Sequence, residues 1–248
     1  MPIQDGRQTS STTTDAAANG SSRSRKSGAI HAQLSGISVS TTRVGVLVEA
    51  IEFDLFYDYT CPFVYRAAEM LELVKESGER ELHVTWKFFS LAQVNANDPE
   101  WSAWGAPDSE TIRGRLAFRA AEAARRQDAF ESLHMPLLLA RHRDREDIDD
   151  PRVIKRLAGA AGLDGDRFGA DLADRRTLEA LARDHSEARA KHGVFGTPTF
   201  VFPNGAAAYV RLAGVPSKED ALRIFDRLVD IARGEQSILE IKRPVAPV

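Results

Sequence analysis

Apolar residues alternate with polar or mixed ones from Ile51 onward: Ile51, Phe53, Leu55 and Tyr57 are interleaved with Glu52, Asp54, Phe56 and Asp58. A period of two with one strongly apolar face predicts a core strand. The period then changes. Val64, Ala67, Ala68, Leu71 and Val74 recur at helical spacing after Pro62, and Ser77-Gly78 supplies the stop. Leu82, Val84, Trp86 and Phe88 alternate again with His83, Thr85 and Lys87, predicting a second strand. Strand, helix and strand of these lengths predict a right-handed parallel βαβ unit.

From Asp108 to about Gly193 the pattern reads as helical throughout. Ile112, Leu116, Ala120 and Ala123 form one stripe, and Phe130, Leu133 and Leu137 a second, in which Pro136 should kink or break the helix. Asp150-Pro151 and Asp164 open two shorter helices, the first ended by Gly162 and the second running to about Asp174; a long one follows from Thr177 to Lys191. Strand pattern returns at Phe200, Val201 and Phe202, with Pro203-Asn204-Gly205 as a hairpin turn and Ala207 to Ala213 as the antiparallel partner. A last helix fits Ser217 to Arg233, with Leu222, Phe225, Leu228, Val229 and Ala232 inward.

The ends differ from this body. Residues 1–48 are rich in Ser, Thr, Gly and Ala and poor in aromatics, a composition that predicts a disordered N-terminal tail. The segment lacks the apolar core of a secretory signal; its Arg and Ser with few acids faintly resemble an organelle transit peptide, and a translation start near Val44 to Val48 is a further reading. Residues 235–248 have no periodicity and read as a C-terminal tail.

Composition excludes more than it assigns. A net charge of −3 over 248 residues gives neither a nucleic-acid footprint nor a strongly acidic surface. No long apolar run predicts a membrane span. With one cysteine no intramolecular disulfide can form, which fits a reducing, cytoplasmic setting. No metal site is expected: the six histidines form no HExxH pattern and a single cysteine cannot supply a zinc ribbon. His185 and His192 are seven apart on one helix and could share a face, though His192 near the C-terminus reads as a helix end.

The candidate chemistry is Cys61. Asp58 and Thr60 can each cap a helix, and Pro62 suits its first turn, so the sulfur heads the helix. Free amides and the positive end of the helix dipole favour a thiolate there, which makes the sulfur reactive near neutral pH. The alternative is a small buried hydrophobe, the usual fate of an isolated cysteine. Thr197-Pro198, just before a buried strand, is a second marked position, because proline fits poorly there unless its geometry matters. Trp101 and Trp104, in the loop after the second strand, either wall a pocket or pack the following helices down.

CPFV after FYDY, a helical insertion, and KHGVFGTPTFVF together resemble the DsbA family of thioredoxin-like proteins, as does RDREDIDDPRVIKRLAGAAGLD within the insertion. The nearest branch looks like the FrnE-like and mycothiol-dependent nitroreductase-type proteins, with kappa-class glutathione transferases and 2-hydroxychromene-2-carboxylate isomerases as cousins. The resemblance covers Ile51 to about Ala232. It implies an α/β, thioredoxin-like fold with an all-helical insertion: residues 49–104 and 194–234 as the two parts of the thioredoxin-like domain, and 105–193 as the insertion. It also implies a nucleophile at Cys61 facing a cis Thr197-Pro198. Val64 stands where redox members carry the resolving cysteine.

The function expected on that basis is a thiol-dependent oxidoreductase working through one cysteine. A low-molecular-weight thiol, glutathione or mycothiol, would complete the exchange. Substrate-binding positions are Thr197, Pro198, Phe63, Tyr57, Tyr65, Trp101 and Trp104. The partner is a small thiol or disulfide, or a protein disulfide. Two alternatives stay open: a kappa-like transferase or isomerase in which a bound thiol acts and Cys61 only hydrogen-bonds it, and a non-catalytic thioredoxin-fold binding module.

Overall fold

The structure, a computed structural model, describes residues 39–41 and 47–243. The expected tails fall mostly outside the described residues, at 1–38, 42–46 and 244–248. The elements in order are β1 (Val39–Thr41), β2 (Leu47–Tyr57), α1 (Pro62–Ser77), β3 (Glu81–Phe88), α2 (Leu91–Val94), α3 (Arg115–Arg125), α4 (Phe130–His142), α5 (Pro151–Ala160), α6 (Gly165–Ala173), α7 (Thr177–His192), β4 (Thr199–Val201), β5 (Ala207–Tyr209) and α8 (Lys218–Val229), which runs into a wider turn at Asp230–Gly234. A strand at Val39–Thr41 stands within the stretch expected to be unstructured.

The fold is thioredoxin-like, with mixed α/β architecture, and β2 is its axis. β3 pairs with it in parallel, Ala50 opposite Glu81 through Tyr57 opposite Phe88. β4 pairs antiparallel, Leu55 opposite Phe200, and β5 adds antiparallel to β4. The two-residue period of β2 divides its side chains as the sequence pattern requires. Ile51, Phe53, Leu55 and Tyr57 enter the main core with α1 and α8, where the Phe53 ring lies 5.2 Å from Phe200 and 6.2 Å from Phe225. Phe56 points to the opposite face, with Phe89, Ala188, Val194 and Val201.

The insertion departs from the expected pattern in two places. Helix does not begin at Asp108 but at Arg115, because the preceding segment is held as a loop from below. Nη1 of buried Arg115 donates to the Ala106 carbonyl at 3.1 Å and Nη2 to the Pro107 carbonyl at 2.9 Å, while Gly114 takes φ +81°. Backbone acceptors served by a side chain need no helical partners. The second departure is α4, which continues unbroken through Pro136. Buried Leu133, Leu137 and Leu138 fix both halves in the core and outweigh the hydrogen bond that proline removes. The hairpin strands are also shorter than expected.

α7 joins the insertion to the sheet through buried polar groups. The Asp184 carboxylate accepts from the Phe88 amide at 3.0 Å, and His185 Nδ1 accepts from the Ser90 amide at 3.2 Å. Both amides lie at the end of β3, where the ladder stops and a buried N–H needs another acceptor. Short α2, capped by Ser90 on the Gln93 amide, is thereby held beside the end of β2.

Candidate functional site

A single turn at the C-terminal end of β2, through Tyr59 and Thr60, positions the sulfur. The Cys61 amide donates to the Asp58 carbonyl at 3.0 Å, and Cys61 is the N-cap of α1 in extended conformation, followed by Pro62. No acidic side chain lies in the first turn of α1. Asp58 does not cap the helix as expected. Fully buried, its carboxylate accepts from the Thr60 amide at 2.7 Å, the Thr60 hydroxyl at 2.8 Å and the Leu91 amide at 2.7 Å. It therefore ties the cysteine turn to α2. Burial raises its pKa, against these hydrogen bonds and the Arg113 charge.

The Thr197-Pro198 peptide bond is cis, and the loop carrying it comes from the other end of the chain to meet Cys61. Cys61 Sγ donates to the Thr197 carbonyl at 3.3 Å. Thr197 is 2% exposed and its hydroxyl has no hydrogen-bond partner among the described residues. Beyond the loop the Thr199 hydroxyl donates to the Gly196 carbonyl at 2.8 Å, and the Val210 amide to the Pro198 carbonyl at 3.1 Å. The loop is thus braced from both sides.

A groove of about 610 Å³ opens over this pair. It is lined by Thr60, Cys61, Pro62 and Thr197, by Phe63 and Arg211, by Leu91, Ala92, Val94 and Asn95 of the α2 segment, and by Arg113, Phe195, Gly196 and Tyr209. Phe195, 63% exposed, packs edge-on against Tyr209 at 4.9 Å. The volume lies in the range of small-ligand sites.

Of the substrate-binding positions expected from sequence, Phe63 and Thr197 line this groove, and Pro198 lies buried beside it. The others sit elsewhere. Tyr57 is fully buried, its hydroxyl directed to Tyr59 at 3.4 Å, because the inward period of β2 takes it into the core. Tyr59 in turn is 2.9 Å from His134 Nδ1. Tyr65 stacks on His142 at 5.4 Å. Trp101 and Trp104 serve the packing alternative: Trp101 Nε1 donates to Glu110 at 3.2 Å, and Trp104 lies 5.3 Å from His185, both around a small cluster of Ala103, Ala106 and Ile112.

Arg113, Arg211, Phe195 and Tyr209 were not singled out by sequence. Two of them had a signal: Tyr209 and Arg211 share the outward face of a two-residue period after the Asn204-Gly205 turn, beside the proline loop. Among the described residues no group of three or more His, Cys, Asp and Glu side chains is placed to hold a metal ion, and no helix is long and apolar enough to cross a membrane.

A family model for a DSBA-like thioredoxin domain matches residues 52–221. Among solved structures the chain is similar to a probable DsbA oxidoreductase from Streptomyces coelicolor, with TM-score 0.52, 19% identity and coverage of 80% of this chain and 94% of that one. It is also similar to a proposed protein disulfide isomerase from Nitrosomonas europaea, with TM-score 0.51, 16% identity and coverage of 73% and 98%. At these identities the likeness is one of fold. A curated relative, the Na(+)/H(+) antiporter NhaA 3 of Salinispora tropica, is 44% identical over 157 residues, which are 60% of this chain and 19% of that protein. The chain thus spans about a fifth of that relative's length.

Proposed function

We propose that this chain, which belongs to the DSBA-like thioredoxin domain family, catalyses thiol–disulfide exchange through Cys61 alone. The observation that carries the reading is the meeting of the only sulfur nucleophile with the Thr197 carbonyl at 3.3 Å in the lining of an open groove. The Cys61 thiolate attacks one sulfur of a bound disulfide. A Cys61–substrate S–S bond forms, the original S–S bond breaks, and its electron pair leaves on the departing thiolate. Val64 cannot resolve the mixed disulfide, so a second small thiolate attacks the substrate-side sulfur and returns Cys61 as thiolate. Glutathione or mycothiol fits that role, in the reducing cytoplasm that a single cysteine suits. The Thr197 backbone orients the partner, and Phe63 and Phe195 cover its apolar parts.

The test is turnover of glutathione and mycothiol mixed disulfides by the native chain and by Cys61→Ser. Serine keeps a donor for the Thr197 carbonyl, so structure and chemistry separate. Turnover in the native chain, lost in a folded variant, is the expected result; equal rates would overturn the proposal.

The antiporter relative supports a second reading, a non-catalytic thioredoxin-fold module within a larger protein, because the resemblance to it is much higher than to the oxidoreductases of known structure. Under that reading the native chain turns over neither disulfide.

A further inference from the structure

The groove over Cys61 has a charge that the molecule as a whole does not. The chain carries a net charge of −3, yet the residues lining the groove include Arg113 and Arg211 and no Asp or Glu. Many arginines elsewhere are tied down, as Arg119 is to Asp108 at 3.0 Å and Arg126 to Asp171 and Asp174 at 3.0 and 2.9 Å, although among the described residues exposed Arg145 and Arg227 are not. Neither groove arginine has an ion pair or a hydrogen bond from its guanidinium to the described residues.

Arg211 is nevertheless held in place. The Arg211 guanidinium lies 4.0 Å over the Phe63 ring, a stacking that uses its flat face and leaves the N–H edge open to a ligand. Its strand extension is fixed from beneath, where Arg66 Nη1 donates to the Leu212 carbonyl at 2.9 Å. Only the backbone of Arg113 is fixed, between buried Ile112 and Gly114, whose amide donates to Asp149 at 2.6 Å; its side chain is exposed. A third polar group without a hydrogen-bond partner among the described residues, the buried Thr197 hydroxyl, belongs to the same residue whose carbonyl accepts from the sulfur. Two guanidiniums lining a groove beside a nucleophile, one of them preset by stacking, suit carboxylates, which accept two parallel N–H bonds from each.

We propose that the disulfide exchanged at Cys61 is a small molecule bearing carboxylates near its sulfurs, in preference to an uncharged sugar-type or a cationic disulfide. The proposal rests on the exchange reading above and names its substrate class. Cys61 forms its bond to one sulfur of this anionic disulfide, and the released carboxylate-bearing thiolate carries away the electron pair of the broken bond.

The experiment uses the reduced full chain with three symmetric disulfides: dithiodiglycolate, bis(hydroxyethyl) disulfide and cystamine. Formation of the Cys61 adduct is followed by intact mass at low ionic strength, each rate being divided by that of free cysteine with the same reagent. The expected order is anionic, neutral, cationic, with an anionic-to-cationic ratio of about tenfold or more that falls to about threefold or less in Arg113→Gln/Arg211→Gln. The ratio should shrink at high salt and return in the corresponding Lys/Lys variant. A ratio of about one, or one that survives the Gln pair, overturns the substrate class and leaves exchange standing. Absence of an adduct with any of the three overturns the exchange reading and this proposal together.

Discussion

Cys61 Sγ and the Thr197 carbonyl, 136 positions apart in the chain, are joined by a hydrogen bond of 3.3 Å in the lining of the groove. The thiol is the donor, so the bond exists only in the protonated form and is released when the sulfur ionises. Cys61 is 4% exposed and lines the groove, through which reagents reach it. Alkylation of the native chain should therefore depend on reagent size. Iodoacetamide should label Cys61, whereas a bulky maleimide should react roughly tenfold or more slowly than with the unfolded chain. Equal size dependence in native and unfolded protein, read by mass spectrometry, would remove the groove from the account.

Gly114 lies directly above the cysteine turn. Its φ is +81°, and a Cβ built there would stand 2.8 Å from Thr60 Cγ2 and 3.6 Å from Asp58 Oδ1. Alanine therefore meets both a disfavoured backbone region and a clash with a buried side chain. Gly114→Ala should lose about 1–3 kcal/mol of stability in chemical denaturation. It should also slow exchange at Cys61, because Thr60 is its neighbour. A variant of native stability would show that the turn has room to give.

Sequence made the sheet axis, α1 and both halves of the site legible for one reason: each depends on local pattern. The period of β2, Pro62 after Cys61, and Gly78 with φ +71° at the end of α1 are all written within a few residues of where they act. The groove walls were not legible. Tyr57 and Tyr65 are close to Cys61 in sequence, but strand period and helix face carry them away from it. Arg113 and Arg211 come from segments about 50 and 150 positions downstream of Cys61, and only tertiary packing brings them to the sulfur. Arg115 was unreadable for a similar cause: a charged residue at the start of a helix looks exposed until the loop carbonyls it holds are seen.

The β3 to α7 junction should make stability dependent on pH. Burial lowers the His185 pKa to about 4, below its ordinary value of 6.5. Between those values the unfolded chain binds a proton that the folded chain does not, so stability falls as pH falls from 6.5 toward 4. The slope from this group reaches at most about 1.4 kcal/mol per pH unit. Buried Asp184, whose pKa burial raises, acts in the opposite sense in the acid part of the range. In His185→Asn the amide oxygen can still accept from the Ser90 amide, but no proton is bound. Urea unfolding at pH 7, 6 and 5 should give a shallower decline for the variant; parallel curves would mean that His185 titrates normally.

Val64 gives the last test, because it asks whether the missing resolving thiol is the only departure in this turn. Val64 is fully buried, and the Cys61 carbonyl accepts from both the Val64 amide at 3.2 Å and the Tyr65 amide at 3.4 Å, a shared bond usual at a helix start. Side chains three apart on a regular helix have Cβ atoms roughly 5–6 Å apart, and a disulfide needs about 3.5–4.5 Å. A first helical turn can tighten to close that gap. Val64→Cys should accordingly form a reversible intramolecular disulfide, read as a loss of two mass units and of alkylation at both sulfurs. Reduced, the variant should be less stable by about 0.5–1.5 kcal/mol, the cost of a smaller side chain in a packed core. A folded variant that yields only intermolecular dimers or small-thiol adducts would place position 64 outside the resolving geometry, and the assignment of Cys61 as a nucleophile deprived of its partner would fall with it.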